Sequence, residues 1–275
     1  MLVKMSEILS KAQKGKYGVP AIPATDELTC RAAITAAEEK NSPVILISNS
    51  RGHADFFYFG RMLNDLAIRG KVPVSLCLDH STTFENAIEG IRAGFTAIMV
   101  DRSTLPYEEN VAEVKELVRI AHAVGVEVEA ELGHVGQGEN LDHYETGLTV
   151  PDEAVSYVKE TNVDFLAVAI GTAHGVYKGE PKLRFDLLEE IRSKVSIPLV
   201  LHGGSGTGDD NLAKLCKNGI CKVNVANEIF RGAYEACVKD GMEGNRIYRL
   251  FPTLAAGYRE VAMHTMEVFG SAGKA

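Results

Sequence analysis

The stretch VSLCLDHSTT, Val74 to Thr83, runs from apolar Val74, Leu76, Cys77 and Leu78 straight into Asp79 and His80. A buried strand that finishes on an acid and an imidazole sets a proton carrier beside a metal-ligating nitrogen. Similar endings recur along the chain. AIMVD ends in Asp101, VEVEAELG carries Glu129 and Glu131, AIGTAHGVYKG carries His174, PLVLHGGSG carries His202, and VNVANE carries Asn224 and Asn227. A lone histidine after an apolar run is more often a hydrogen-bonded structural residue than a ligand. Three of them with acids interleaved could instead converge on one divalent ion. Zinc is the first expectation, because imidazole suits it and a fourth position stays open for substrate. The other histidines, His53, His122, His134, His143 and His264, fall in expected helices or loops and read as surface or structural residues. Two glycine-rich stretches, LHGGSGTGDDNL and AIGTAHGVYKG, let backbone N–H groups approach a phosphate without a Cβ in the way. Each has a tight turn as its plainer reading. Neither is a Rossmann G-x-G-x-x-G nor a Walker GK[ST] loop.

Without a fold the three histidines are simply far apart in sequence, so the elements that position them carry the argument. Apolar, β-branched runs recur at 19–22, 43–48, 72–79, 97–101, 126–133, 164–170, 198–203 and 221–226, about 25 to 35 residues apart. Continuous rather than alternating apolarity suits parallel strands covered by helices. Between the runs, ENVAEVKELVRIAHAVG sets Val111, Val114, Leu117, Val118 and Ala121 on one helical face, and Gly125 stops it. Eight such units without a central change of rhythm predict an α/β fold, a closed (β/α)₈ TIM barrel, over a doubly wound open sheet. A single domain over residues 1–275 is expected, with extra helix beyond about Asn227. Barrel active sites lie at the C-terminal ends of the strands. All the residues named above then fall on one rim, together with Glu139 in the loop after the fifth strand.

Composition is ordinary, 45% hydrophobic and 24% charged, in 275 residues. A formal charge of −8 argues against a general nucleic-acid or anionic-membrane binder. No run of apolar residues is long enough for a membrane span, and the N-terminal stretch reads as a short amphipathic helix without a signal peptide's apolar block. Cys30, Cys77, Cys216, Cys221 and Cys237 form an odd, scattered set without C-x-x-C, which fits free thiols in a reducing cytoplasm.

The motifs LDH (78–80), MVDRS (99–103), EAELGHVGQGEN (129–140), AVAIGTAHGVYKGEPKL (167–183), PLVLHGGSG (198–206) and KVNVANE (222–228) together resemble the class II, metal-dependent ketose-bisphosphate aldolases over nearly the whole chain. The resemblance implies His80, His174 and His202 as metal ligands, with Glu131 as a second-site or alternative ligand. It implies Asp79 as the acid–base residue at the C4 hydroxyl and Glu139 as the base beside the ketone. Gly175, Lys178, Gly203, Ser205, Asn224, Ala226 and Asn227 take the positions that hold the phosphate of the three-carbon ketone, where some members also bind Na⁺ or K⁺. The implied reaction is reversible cleavage of fructose or tagatose 1,6-bisphosphate to dihydroxyacetone phosphate and glyceraldehyde 3-phosphate. Zn²⁺ would serve as cofactor, replaceable by Co²⁺ or Mn²⁺, in a cytoplasmic homodimer or homotetramer. The residue types suit that chemistry. Cleaving C3–C4 leaves electrons on the ketone fragment, and a divalent cation can hold that charge where no rim lysine offers a Schiff base. Lys222 reads as the start of the eighth strand, away from the rim.

Four positions depart from the family's usual pattern. Pro23 stands where an asparagine is common, ISNSRGHADFF follows the second strand, Arg102 replaces a small residue, and Asn227 replaces a threonine. All four are expected around the substrate, with Asp26 or Asn49 supplying the missing polar contact. Ala226 leans toward a tagatose-type substrate. An aldolase for a phosphorylated deoxy-keto-gluconate, a non-catalytic barrel or accessory subunit, and a metal-dependent hydrolase are the competing readings.

Overall fold

A computed structural model describes residues 1–50, 53–136, 147–175, 177, 179 and 181–275. Eight parallel strands pair in sequence order and close into a barrel: β1 Val19–Pro23, β2 Val44–Ser48, β3 Val74–Ser81, β4 Ala97–Val100, β5 Glu127–Leu132, β6 Phe165–Val168, β7 Leu199–Leu201 and β8 Ile220–Asn224. The β1–β8 pairing, Val19 opposite Lys222 and Ala21 opposite Asn224, is the seam that excludes an open sheet. Between and after the strands run α2 Glu27–Lys40, α3 Phe56–Arg69, α4 Phe84–Ala93, α5 Tyr107–Ala123, α6 Pro151–Thr161, α7 Phe185–Lys194, α8 Asp209–Lys217, α9 Asn227–Asp240 and α10 Leu250–Phe269. Their starts follow local chemistry. Asp26 accepts the Thr29 amide at 2.7 Å, Asp55 that of Tyr58 at 2.8 Å, and Thr83 that of Asn86 at 3.2 Å. Gly94, at φ 90°, ends α4 in the left-handed conformation.

Side chains alternate across each strand. One set, including Ile22, Leu46, Leu76, Ile98 and Val128, packs outward against the helices. The other, including Ala21, Ile45, Ile47, Cys77, Ala97, Met99, Phe165, Ala167 and Val200, fills the barrel interior. The N-terminal helix α1, Met5–Gly15, joins that second set: Met5, Ile8, Leu9 and Ala12 plug the interior at its N-terminal end. The Ser6 amide donates to the Glu127 carboxylate there at 3.0 Å. Interior-facing positions are mostly apolar at the plugged end, Glu127 being a charged exception, and become polar toward the C-terminal rim.

Two helices follow β8. The last, α10, lies across α2, α8 and β1 and covers the barrel wall beside the seam. Its buried Tyr258 donates its hydroxyl to the Pro23 carbonyl. Helix α9 rests on α10 and leaves Phe230, Tyr234 and Val238 exposed at i, i+4, i+8 spacing. No helix of the described residues is long and apolar enough to cross a membrane. All five cysteines are free thiols.

Leu9 is fully buried at the plugged end, remote from the rim. Leu9→Ala is expected to lower unfolding free energy by about 2–5 kcal/mol, the usual cost of a leucine-to-alanine cavity. Denaturant titration of the variant beside wild type measures it.

Candidate active site

Strand β3 delivers Asp79 and His80 through a break in its own ladder. Its register against β4 shifts between Leu78 and Ser81, and His80 takes φ 44°, a left-handed conformation uncommon outside glycine. That turn aims the His80 ring at the barrel mouth. There it meets His174, from the loop after β6, and His202, at the end of β7. Ring centroids stand 5.0 Å apart for His80–His174, 4.7 Å for His80–His202 and 5.8 Å for His174–His202. The three predicted ligands thus converge, with one nitrogen from each within 4.8 Å of the others. Glu131, fully buried on β5, joins them. Its Oε1 accepts the Val135 amide at 3.0 Å, while Oε2 has no hydrogen-bond partner and lies 3.8 Å from His202 Nδ1. A second triad, His80, Asp101 and Glu131, shares the same corner.

Carboxylates behind the imidazoles orient them. Asp101 Oδ2 is 2.9 Å from His80 Nδ1, and Ser103 holds the other oxygen of Asp101 at 2.8 Å. Glu129 Oε1 is 2.8 Å from His202 Nε2, and Lys222 Nζ is 2.7 Å from Glu129 Oε2. His80 Nε2 and His202 Nδ1 are thereby left facing each other at 3.0 Å. Two imidazoles on one tetrahedral ion with bonds of about 2.0–2.1 Å would stand about 3.3–3.4 Å apart, so the pair is set close to ligand spacing. Carboxylate-backed imidazoles and an orphaned buried carboxylate oxygen fit a divalent cation.

With no metal bound, the charges around His80 favour a proton on this contact. Burial opposes the charged form of His80, but Asp79, the Asp101 hydrogen bond and Glu131 outweigh it and raise its pKa to about 9. His80 Nε2–H then donates to His202 Nδ1. His174 is pushed the other way, to about 3, by burial and by its two histidine neighbours. Burial pushes Glu131 up. Burial also opposes the charge on Glu129, yet Lys222 and His202 overcome it and lower its pKa to about 2.

Asp79 stands beside this cluster, its Oδ1 accepting from Asn224 Nδ2 at 3.0 Å. It also lines a cavity of about 380 Å³ with Pro23, Ser48, Asn49, His53, Ala226 and Phe230. On the far side, Gly203 at φ 67° lies against Ala173, whose carbonyl oxygen would be 2.3 Å from any added Cβ. Only glycine fits there. Tyr177 ties the two glycine loops together, accepting from the Ala173 amide at 2.7 Å and donating to the Gly203 carbonyl at 3.0 Å. Ser205 Oγ accepts from the Ala226 amide at 3.3 Å and lies at the start of α9, where Asn227 is the first helical residue. Gly175, at φ 81°, lies in the β6 loop one residue after His174. Glu139 and Lys178 lie outside the described residues, as does His143.

Several expectations are corrected. Arg102 is buried away from the cavity: its guanidinium pairs with Glu113 and donates to the carbonyls of Ser81 at 2.9 Å and Asp101 at 2.8 Å. It braces the ends of β3 and β4. Asp26 is occupied as the cap of α2. Lys222 is the middle residue of β8, fully buried inside the barrel. Its partner Glu129 lies fully buried beneath the rim carboxylates. His53 is a wall of the Asp79 cavity, stacked on Phe59 with centroids 3.7 Å apart. Only its place in the loop after a strand signalled this. His122 and His264 pair with Asp164 and Asp209, both at 2.8 Å, as structural histidines do.

Barrel closure and the convergence of imidazoles and carboxylates above β3, β5, β6 and β7 define a barrel enzyme with a metal-competent site. A family model, fructose-bisphosphate aldolase class-II, matches residues 3–274. A curated fructose-bisphosphate aldolase of Geobacillus stearothermophilus is 38% identical over 291 aligned positions, spanning 100% of this chain and 99% of that protein. Among solved structures, the YdjI aldolase from Escherichia coli K12 superposes with a TM-score of 0.91 at 33% identity, covering 100% of both chains. A putative fructose-1,6-biphosphate aldolase from Coccidioides immitis gives 0.89 at 28% identity, covering 98% of this chain and 97% of that one. The chain belongs to the class-II fructose-bisphosphate aldolase family. It is a carbon–carbon lyase, of a family that is generally metal-dependent.

Since a metal ligand must present a lone pair, His80 has to lose its proton when a cation binds. At pH 7, below its pKa of about 9, uptake of one divalent ion is expected to release close to one proton. Apparent affinity should rise with pH and level off near pH 9. His174, already neutral, adds nothing to this slope. Calorimetric titration of the metal-free protein in buffers of different ionisation enthalpy counts the proton; release of none defeats the assignment.

Proposed function

We propose that the chain is a zinc-dependent aldolase that cleaves a ketose 1,6-bisphosphate, fructose or tagatose, into dihydroxyacetone phosphate and glyceraldehyde 3-phosphate. The observation that carries this reading is Asp79 beside the three converging histidines, on the wall of the 380 Å³ cavity. His80, His174 and His202 would hold the ion, with Glu131 as an alternative ligand. When bound, a divalent cation supplies Lewis-acid polarisation of the ketone, worth several kcal/mol of charge stabilisation.

The chain's own residues would do the rest. The phosphate of the three-carbon ketone would lie across Gly175, Gly203, Ser205, Ala226 and Asn227, where the N-terminus of α9 favours an anion. Lys178 would add its charge, and Na⁺ or K⁺ would serve as a monovalent counter-ion. Asn224 orients Asp79 at 3.0 Å. Asp79 would take the C4 hydroxyl proton as the C3–C4 bond breaks, forming the aldehyde, with C4 to C6 in the cavity walled by Ser48, Asn49 and His53. Glu139 would return a proton to C3 of the ketone fragment. Free thiols support a cytoplasmic location. The exposed stripe of Phe230, Tyr234 and Val238 supports a homodimer or homotetramer.

Three measurements test the proposal. Assayed against a panel of ketose phosphates, the enzyme should lose activity to a chelator and regain it with Zn²⁺ or Co²⁺. His202→Ala should lose tightly bound metal; undiminished metal would sink the three-histidine site. The proton handlers should separate. Glu139→Ala should slow solvent hydrogen exchange into dihydroxyacetone phosphate by about 10²-fold or more, whereas Asp79→Ala should slow cleavage by a similar factor and retain more exchange. Normal exchange in Glu139→Ala would remove that residue from the mechanism.

A further inference from the structure

Lys222 carries a charge into the barrel interior with 0% exposure, where an apolar residue would pack more cheaply. A register irregularity puts it there. Leu199 pairs with Ile220 but Val200 pairs with Lys222, so Cys221 is the extra residue and Lys222 comes level with an interior position. Glu129 reaches the same layer because it pairs with Met99 on one side and Phe165 on the other, both interior residues. Both oxygens of Glu129 are taken: Oε2 by the Lys222 ammonium at 2.7 Å and Oε1 by His202 Nε2 at 2.8 Å.

An ammonium can only donate, so it requires an accepting oxygen from Glu129. A carboxylate held in this way is ionised and can only accept at its other oxygen. His202 must then carry its proton on Nε2, leaving the Nδ1 lone pair directed at His80 and Glu131. We propose that Lys222 and Glu129 act as one positioning unit that fixes the tautomer of His202, so that its Nδ1 is available to a cation. The role of His202 as a ligand rests on the reading above; the tautomer itself does not depend on a metal. Lys222 is accordingly a positioning residue and not a hidden Schiff-base amine. Burial opposes its charge, but Glu129 and the other groups around it outweigh that and raise its pKa, opposite to what a nucleophilic lysine needs.

A near-isosteric change separates this role from simple packing. In Glu129→Gln the ammonium still claims the one acceptor oxygen, so the amide NH₂ turns to His202 Nε2. That forces the His202 proton onto Nδ1. In the double variant Lys222→Met/Glu129→Gln no ammonium competes, and the amide oxygen can again accept from Nε2–H. Histidine ¹⁵N NMR of the metal-free protein reads the tautomer, and chelator competition with Zn²⁺ reads affinity. The expected results are Nε2–H in wild type, Nδ1–H in Glu129→Gln with a loss of about 10²-fold in affinity, and a return of both in the double variant. Nδ1–H in wild type overturns the proposal without any variant. So does Glu129→Gln with Nε2–H and wild-type affinity, or a double variant that binds no better than the single one. A failure of the metal reading would look different: wild-type protein would bind no Zn²⁺ tightly while still showing Nε2–H.

Discussion

Two inward carboxylates decide which nitrogen two of the three converging imidazoles turn toward a shared cation. Asp101 takes Nδ1 of His80 and Glu129 takes Nε2 of His202. The nitrogens that remain face each other at 3.0 Å. The arrangement has its own electrostatic cost, because an unpaired carboxylate in a dry barrel would neutralise itself by taking a proton. Lys222 prevents that for Glu129, and Ser103 with His80 does so for Asp101. Glu131 Oε2 is left without a partner, so the cluster retains a polar demand that a cation would satisfy.

The barrel supplies the positions by a simple progression. An interior-facing residue is followed two places later by another interior-facing residue, one layer nearer the rim. Cys77 leads to Asp79, Met99 to Asp101, Glu129 to Glu131, and Val200 to His202. Apart from the Lys222–Glu129 pair and Glu127, the lower layers are largely apolar and closed by α1, so burial helps to hold the strands in register. The upper layer is then free to be polar. His80 is the exception to the alternation, and the backbone shows the cost: a register shift in β3 and a positive φ. Strain of this kind, of order 1–3 kcal/mol, persists where the surroundings over-determine it. Arg102 helps to do so, donating to the carbonyls of both Ser81 and Asp101 and clamping the strand ends on either side of His80.

The departures from the family pattern divide into two groups once contacts are visible. Arg102 is structural and leaves the cavity wall unchanged. Pro23 is different: it lines the cavity, and its carbonyl is held by Tyr258 of the last helix. Asn49 and His53, on the loop after β2, stand on the same wall and bring amide and imidazole groups to a region where Pro23 offers no side-chain donor. Asn227, first in α9 next to the cavity-lining Ala226, belongs with this second group, while the imidazoles and their carboxylates are intact.

Eight strands, their order and their barrel closure were legible in the sequence because continuous apolar runs at regular spacing admit few packings. The three histidines and the acids beside them were legible because each ends such a run, and strand ends in this architecture share one rim. The glycines around Gly203 were legible as a turn or phosphate cradle, but the close approach of Gly203 to the Ala173 carbonyl was not. What the sequence could not determine was which side chains meet behind the histidines. Glu129 reads like Glu131 two residues on, and Lys222 reads like any charge near a strand start. Only the tertiary structure sets one beneath the rim and the other inside the barrel. The physical reason is register: a one-residue irregularity at Cys221 changes which face Lys222 presents, and it depends on how β7 and β8 pair across the barrel rather than on any local preference.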